Sequence, residues 1–351
     1  MAHPVASIPS PARKSGAAAR IRRRRHPNTA WLPVLAGAGI DPDLLLAHAR
    51  EIVPTGVALL AVKRLEQSGR RLPKELLDAA RFDAALTLRS EAALGRAAEA
   101  LRAIPVLVLK GSSFRPFWPD QARRFIDLDL LVHPDRFDQA LGHLAKAGFS
   151  LPGPRAPMAG VRWKRWESLA RRVPHAVTVY GPGGCAVDVH RTLPPAAFGR
   201  LVPFGRLAEA AEPLDTLPLR ALGMTHRVLS AALHCLNHGP ANPMPWLDLA
   251  FLLPHVSPTA LIKEARFLGL GPALAATLRR SMALGLPVDP VAYRIPLLGE
   301  AALSPLRTAR AVVLASSLLS KRGHWLLGLE NREVLVALGT RLAAGRRPLG
   351  R

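Results

Sequence analysis

Cysteine is almost missing from this chain: Cys185 and Cys235 are the only two in 351 residues. Two isolated thiols without paired spacing exclude a zinc framework and a disulfide scaffold, and they suit a reducing cytosol. Long apolar stretches are missing too, since no uninterrupted run reaches the roughly 18 residues needed to span a bilayer. Arg20 and Arg22 to Arg25 near the start are not followed by the apolar segment of a signal peptide. The Arg, Ser and Ala content of this stretch is also that of a transit peptide. Its small apolar surface points more strongly to a basic disordered tail over residues 1–30 of a cytoplasmic protein. Internal repeats are not found. Acids are scarce, with Asp and Glu numbering 25 against 48 Lys and Arg, for a net charge of +23. Most of the excess is Arg, and part of it is the bias of a GC-rich genome. The remainder attracts phosphate-bearing ligands, nucleic acid or acidic surfaces.

The hydrophobic fraction of 49% is that of a globular protein, and the length suffices for two or three compact units. Leu44, Leu45, Ala47 and Ile52, then Val57, Leu60, Val62 and Leu65, recur at helical spacing, and Pro73 to Leu101 continues that period. The character changes at Ile104-Pro105. Val106 to Leu109 is a short buried strand, Ser112 to Trp118 reads as one helix ended by Pro119, and Phe125 to Val132 is a second strand. An amphipathic helix from Pro134 to Ala147 follows, closed by Gly148. Val173 to Tyr180 and Cys185 to Val189 form a hairpin around Gly181-Pro-Gly-Gly184. After Pro194 the helical period returns, over Leu217–Asn237, Trp246–Leu253, Pro258–Leu268, Pro272–Leu284, Ala301–Leu319 and Trp325–Ala344. The expected architecture is therefore α+β: a small mixed β-sheet core over 105–200, an N-terminal helical region over 31–104 and a C-terminal helical domain over 201–351.

Within the core, Leu107-Val-Leu-Lys-Gly-Ser-Ser113 and Phe125-Ile-Asp-Leu-Asp-Leu-Leu-Val132 carry the chemistry. A strand has a side-chain period of two, so Asp127 and Asp129 share one face, and Ile126, Leu128 and Leu130 take the other, which can be buried. Two acids on one face of an apolar strand repel and lose hydration unless a cation is shared between them. Asp188, between Val187 and Val189, projects from a later strand as a third carboxylate. Gly111-Ser112 at a strand-to-helix turn lets a phosphate approach the backbone, with a hydroxyl donor beside it. Lys110, Arg123 and Arg124 are placed to neutralise a triphosphate. Each feature also has a plain structural reading: an ordinary turn, an edge-strand acid, solvated strand-end cations. Arg162, Lys164, Arg165, Arg171 and Arg172 around Trp163 and Trp166 fit a phosphate-and-base platform or a Trp-packed basic helix equally well. His234 and His238 stand at i and i+4, but Cys235 sits where a zinc-protease helix needs Glu, so they are expected to line a cleft rather than hold a metal. Trp246 and Asp248 can do the same, with Asp248 capping or pairing a neighbour.

Taken in order, these residues resemble the polymerase-β-like nucleotidyltransferase superfamily, and within it the bacterial family of uncharacterised nucleotidyltransferases. The resemblance runs over about residues 100 to 255. It rests on Leu109-Lys-Gly111, Trp118-Pro-Asp120, Arg123, Asp127-Leu-Asp-Leu-Leu-Val132, Gly148-Phe149, His175, Val187-Asp-Val-His-Arg191, the His pair and Trp246-Leu-Asp248. Ile126 and Arg191 depart from the pattern, which has a small polar residue and Trp there.

The resemblance and the residues together imply a nucleotidyltransferase that moves a nucleoside monophosphate from an NTP such as ATP to a hydroxyl acceptor. Mg²⁺ or Mn²⁺ would lie on Asp127, Asp129 and Asp188, with Asp188 also a base for the acceptor hydroxyl. Lys110, Gly111, Ser112, Arg123 and Arg124 would hold the nucleotide. The acceptor can be a small molecule, a protein or RNA. Two alternatives stand beside this expectation. One is a sugar-nucleotide glycosyltransferase using Asp127-Leu-Asp129. The other is a non-catalytic basic module that contacts nucleic acid electrostatically.

Overall fold

A computed structural model describes residues 29–37, 39, 41–151, 176–194, 202–214, 217–239, 242–289 and 292–293. Its centre is a six-stranded mixed sheet made of β1 (Val106–Val108), β2 (Asp127–Val132), β3 (Ala176–Tyr180), β4 (Ala186–His190), β5 (Glu212–Leu214) and β6 (Leu217–Ala221), in the order β3-β4-β2-β1-β6-β5. β2 runs antiparallel to β1 and parallel to β4, and β1 runs parallel to β6. Gly181 to Gly184 turns the β3–β4 hairpin, with the Gly181 N–H donating to the Cys185 carbonyl at 2.9 Å.

Alternation along these strands divides the apolar residues between two cores. Val106, Val108, Leu128, Leu130, Val132, Val177, Val179, Val187, Val189 and Leu219 share the back face with Phe137, Ala140 and Leu144 of the amphipathic helix Phe137–Lys146. Leu107, Leu109 and Leu131 on the front face join a second cluster built with helices from both ends of the chain. One helix serves both cores. Lys74–Ala100 is 27 residues long, about 40 Å at 1.5 Å per residue. Its first turns place Leu76 and Ala80 in the front cluster, and its last turns place Ala93, Leu94, Ala97 and Ala98 against the back of the sheet.

The remaining front-face cover comes from the N-terminal helix Ala58–Glu66 and the C-terminal helices Met224–His238, Pro243–Leu252, Pro258–Phe267 and Gly271–Ala283. Trp246, Leu247 and Leu249 of Pro243–Leu252 are fully enclosed, which explains why that helix is apolar all round except at Asp248.

Three local expectations are corrected. Ser112 to Trp118 is not an α-helix but part of a series of 3₁₀ turns, Gly111–Ser113, Arg115–Phe117 and Pro119–Gln121. Pro116 and Pro119 withhold backbone N–H groups, and Asp120 and Gln121 take φ of 49° and 53°. The helix read from Leu217 begins only at Met224, because Leu219 and Ala221 are buried in alternation with exposed neighbours and pair as β6. Ile126 is not buried: it precedes β2 and is 47% exposed. The basic tail short of Thr29, the Trp163 and Trp166 cluster, His175 and the helices expected after Ala301 lie outside the described residues.

Candidate active site

The acids of β2 meet the one acid of β4 because the two strands run parallel in a fixed register that sets Asp129 beside Asp188. Period-two alternation then puts Asp127, Asp129, Asp188 and His190 on the front face, while Leu128, Leu130, Val187 and Val189 anchor the strands behind. Ligand atoms of Asp129, Asp188 and His190 all lie within 4.8 Å of one another. Asp127 is two positions along β2, outside that tight group.

Electrostatics separate the two acids of β2. Lys110 Nζ and His190 Nε2 each stand 3.0 Å from Asp129 Oδ1. Burial alone would raise the Asp129 carboxyl, but the Lys110 ammonium and the His190 hydrogen bond overcome it and hold the group well below the usual carboxylate range. Asp127 is pushed the other way, first by burial and then by the neighbouring Asp129 charge. Asp188 Oδ1 accepts from the Thr178 hydroxyl at 2.5 Å across the β3–β4 pair.

β1 is followed by Leu109, Lys110 and the Gly111–Ser113 turn. Gly111 has φ of +65°, and a Cβ there would stand 3.2 Å from the Phe125 ring, so the tight turn requires glycine. The Ser112 hydroxyl is buried and has no hydrogen-bond partner among the described residues.

Arg123 and Arg124 have specific partners. Arg123 Nε and Nη2 grip Asp248 at 2.5 and 2.7 Å, and Trp118 Nε1 donates to the same carboxylate at 2.9 Å. Arg124 Nη1 meets Asp83 of the long helix at 2.8 Å. These pairs join the turns after β1 to the helices on both sides, and the Arg123 charge still reaches Asp127 and Asp129.

His234 and His238 pack edge to face with ring centroids 4.4 Å apart. His234 Nδ1 is buried without a hydrogen-bond partner among the described residues. Burial, then the charges of Lys110 and His238, hold this imidazole well below its ordinary pKa, and Asp129 and Arg123 also reach it. Helix Met224–His238 therefore brings His234 to the acid side of the sheet.

The residue that sequence reasoning missed as a ligand is His190. The signal was present: in Val187-Asp-Val-His190 the imidazole is two positions from Asp188 and so on the same strand face.

A metal bound at 2.0–2.2 Å to two ligand atoms leaves them at most about 4.4 Å apart, so the Asp129–Asp188–His190 spacing fits one divalent ion after a small adjustment. The model of a family described as uncharacterised nucleotidyltransferase matches residues 38–284, more than half of the chain. The chain belongs to that family. Comparison with curated proteins found no match, and neither did comparison with solved structures. As a member of this nucleotidyltransferase family the chain is a transferase, with an NTP as the implied substrate. No helix among the described residues is long and apolar enough to cross a membrane.

Proposed function

We propose that this nucleotidyltransferase moves a nucleoside monophosphate from an NTP to a hydroxyl acceptor, with the reaction centred on Asp127, Asp129 and Asp188. The observation that carries the reading is the convergence of these acids and His190 on one sheet face beside the Gly111–Ser113 turn. A divalent ion such as Mg²⁺ or Mn²⁺, held by these side chains, would neutralise triphosphate charge and acidify the acceptor hydroxyl.

The chain's own groups supply the rest. Ser112 offers a phosphate oxygen a buried hydroxyl that has no partner among the described residues. Lys110 lies close enough to exchange its contact with Asp129 for one with the triphosphate. Asp188, oriented by the Thr178 hydroxyl, accepts the acceptor's proton. Arg123 and Arg124 act by position, bracing the loop through Asp248 and Asp83 while Arg123 adds positive field. Catalysis then rests on alignment and charge neutralisation, with no covalent enzyme intermediate.

A sugar-nucleotide glycosyltransferase would need only Asp127-Leu-Asp129 and gives Asp188 no role, whereas Asp188 is the register partner of Asp129. The test uses α-phosphate-labelled ATP, GTP, CTP and UTP with Mg²⁺ or Mn²⁺ and a cell extract, comparing wild type with Asp127→Ala/Asp129→Ala. Label on any acceptor from wild type alone supports the proposal. Absence of transfer, with salt-steep nucleic-acid binding that the acid substitutions leave unchanged, points instead to a basic binding module.

A further inference from the structure

The ligand set on the acid face is not all oxygen. Asp129 and Asp188 offer carboxylates from adjacent parallel strands, and His190 offers an imidazole from the same face of β4. His190 and Asp129 are both almost fully enclosed, at 3% and 4% exposure. His190 Nε2 already points at Asp129 Oδ1 from 3.0 Å, so it needs no large rearrangement to share a cation with that oxygen.

We propose that Asp129, Asp188 and His190 form a mixed oxygen–nitrogen site that selects a first-row transition-metal ion over Mg²⁺. Mg²⁺ is a hard ion that favours six oxygens and gives up water reluctantly. Imidazole instead favours borderline ions, and affinity at such a site climbs from Mn²⁺ to Co²⁺ and beyond. Three protein ligands leave positions open for water or a phosphate oxygen. Nε2 binds a metal only in the tautomer that carries its proton on Nδ1. Lys110 Nζ sits 3.0 Å from the same Asp129 oxygen, so an arriving cation displaces or repels this ammonium. Asp127, outside the tight group, remains a carboxylate ligand for a nucleotide-borne ion. The inference rests on the proposed role of the acid face as a cation site.

The experiment measures Mg²⁺, Mn²⁺ and Co²⁺ binding to the purified full chain by calorimetry, without nucleotide, for wild type, His190→Gln and Asp129→Asn. Circular dichroism and melting temperature establish that each variant is folded. Gln keeps a neutral oxygen donor near the Nε2 position. Its expected effect is a loss of Co²⁺ affinity of about 10–100-fold, a smaller loss for Mn²⁺ and little change for Mg²⁺. Electron spin-echo spectroscopy of Mn²⁺-loaded wild type should show ¹⁴N coupling from a bound imidazole, a reading that needs no variant, and His190→Gln should remove it. Equal losses for all three ions, or no ¹⁴N coupling, would overturn the selectivity while leaving the acid face as a cation site. Unchanged binding of every ion to folded Asp129→Asn would instead remove the cation site itself, and the proposed catalytic reading with it.

Discussion

Asp127 and Asp129 stand two residues apart on one face of β2, yet their carboxyls are driven in opposite directions. Lys110 and His190 hold Asp129 ionised, while burial and the Asp129 charge push Asp127 up. The neighbouring charges thus stabilise one of the two strand acids in its ionised form and destabilise the other, as expected where burial and charge prepare groups for function.

The first prediction follows from the sign of the Asp127 shift. Its folded-state pKa lies above its unfolded value, so the unfolded chain loses the proton first as pH rises. Stability therefore falls across the interval between the two values, and the full cost is present above the folded one. Asp127→Asn should raise the melting temperature of chelator-treated protein at a pH above both values, with the gain vanishing at a pH below both. Added divalent cation should shrink or reverse the difference, because only the native Asp can share its charge. Thermal melts with chelator and with Mn²⁺ check both halves.

A second prediction concerns Arg123 and Asp248, which are 4% and 0% exposed in their side chains. The pair joins the loop before β2 to the C-terminal helix Pro243–Leu252 over 125 residues of sequence. Removing one member leaves an uncompensated buried charge, so Asp248→Ala should cost about 3–5 kcal/mol in urea unfolding. Arg123→Ala/Asp248→Ala should cost clearly less than the sum of the single changes, since the second substitution removes the charge stranded by the first.

Glu264 gives a pH-dependent test away from the acid face. It lines a cavity of about 490 Å³ at the start of helix Met224–His238, with Arg206, Glu212, His226 and Lys263. Arg206 holds it with two hydrogen bonds of 3.0 and 2.8 Å, and His226 Nε2 lies 3.0 Å away. These partners, Arg206 first, depress its pKa to about 2. A depressed carboxyl contributes stability above its unfolded value, near 4.3, and loses it as pH falls through the folded value. The melting-temperature gap between wild type and Glu264→Gln should therefore be full above about pH 5 and close progressively towards pH 2. A gap that stays constant over that range would contradict the assignment.

The parts of this molecule legible in its sequence are those set by local period. Asp127 and Asp129 share a face because a strand alternates, and Phe137, Ala140 and Leu144 share one because a helix repeats. Family membership was legible for a different reason, since ordered motifs survive where no single one is specific. What stayed hidden depends on distant partners. The Asp129–Asp188 adjacency is a matter of strand register between segments about sixty residues apart, and nothing local to Arg123 shows that Asp248 will occupy it. Leu217–Ala221 looked helical because apolar residues before a strong helix blend into its period. Only pairing with β1 on one side and β5 on the other makes them a strand. His190 shares the Asp188 face by the same alternation, but its contact with Asp129 depends on the pairing of β4 with β2.

The final prediction turns on Ser112. Its hydroxyl is buried with no hydrogen-bond partner among the described residues, so these give it nothing to offset the cost of desolvation. Ser112→Ala should leave stability unchanged or slightly raised in urea unfolding. If the hydroxyl donates to a nucleotide phosphate, the same substitution should weaken NTP binding about 5–15-fold, the worth of one hydrogen bond of roughly 1–1.5 kcal/mol. Gly111→Ala is the control for the turn itself: it strains φ of +65° and presses on Phe125, so it should lower stability and binding together. Calorimetric titration of NTP beside urea unfolding separates the two. Weaker binding at full stability would place Ser112 on the nucleotide. Unchanged binding would remove it from the site and leave the phosphate to Lys110 and the turn backbone.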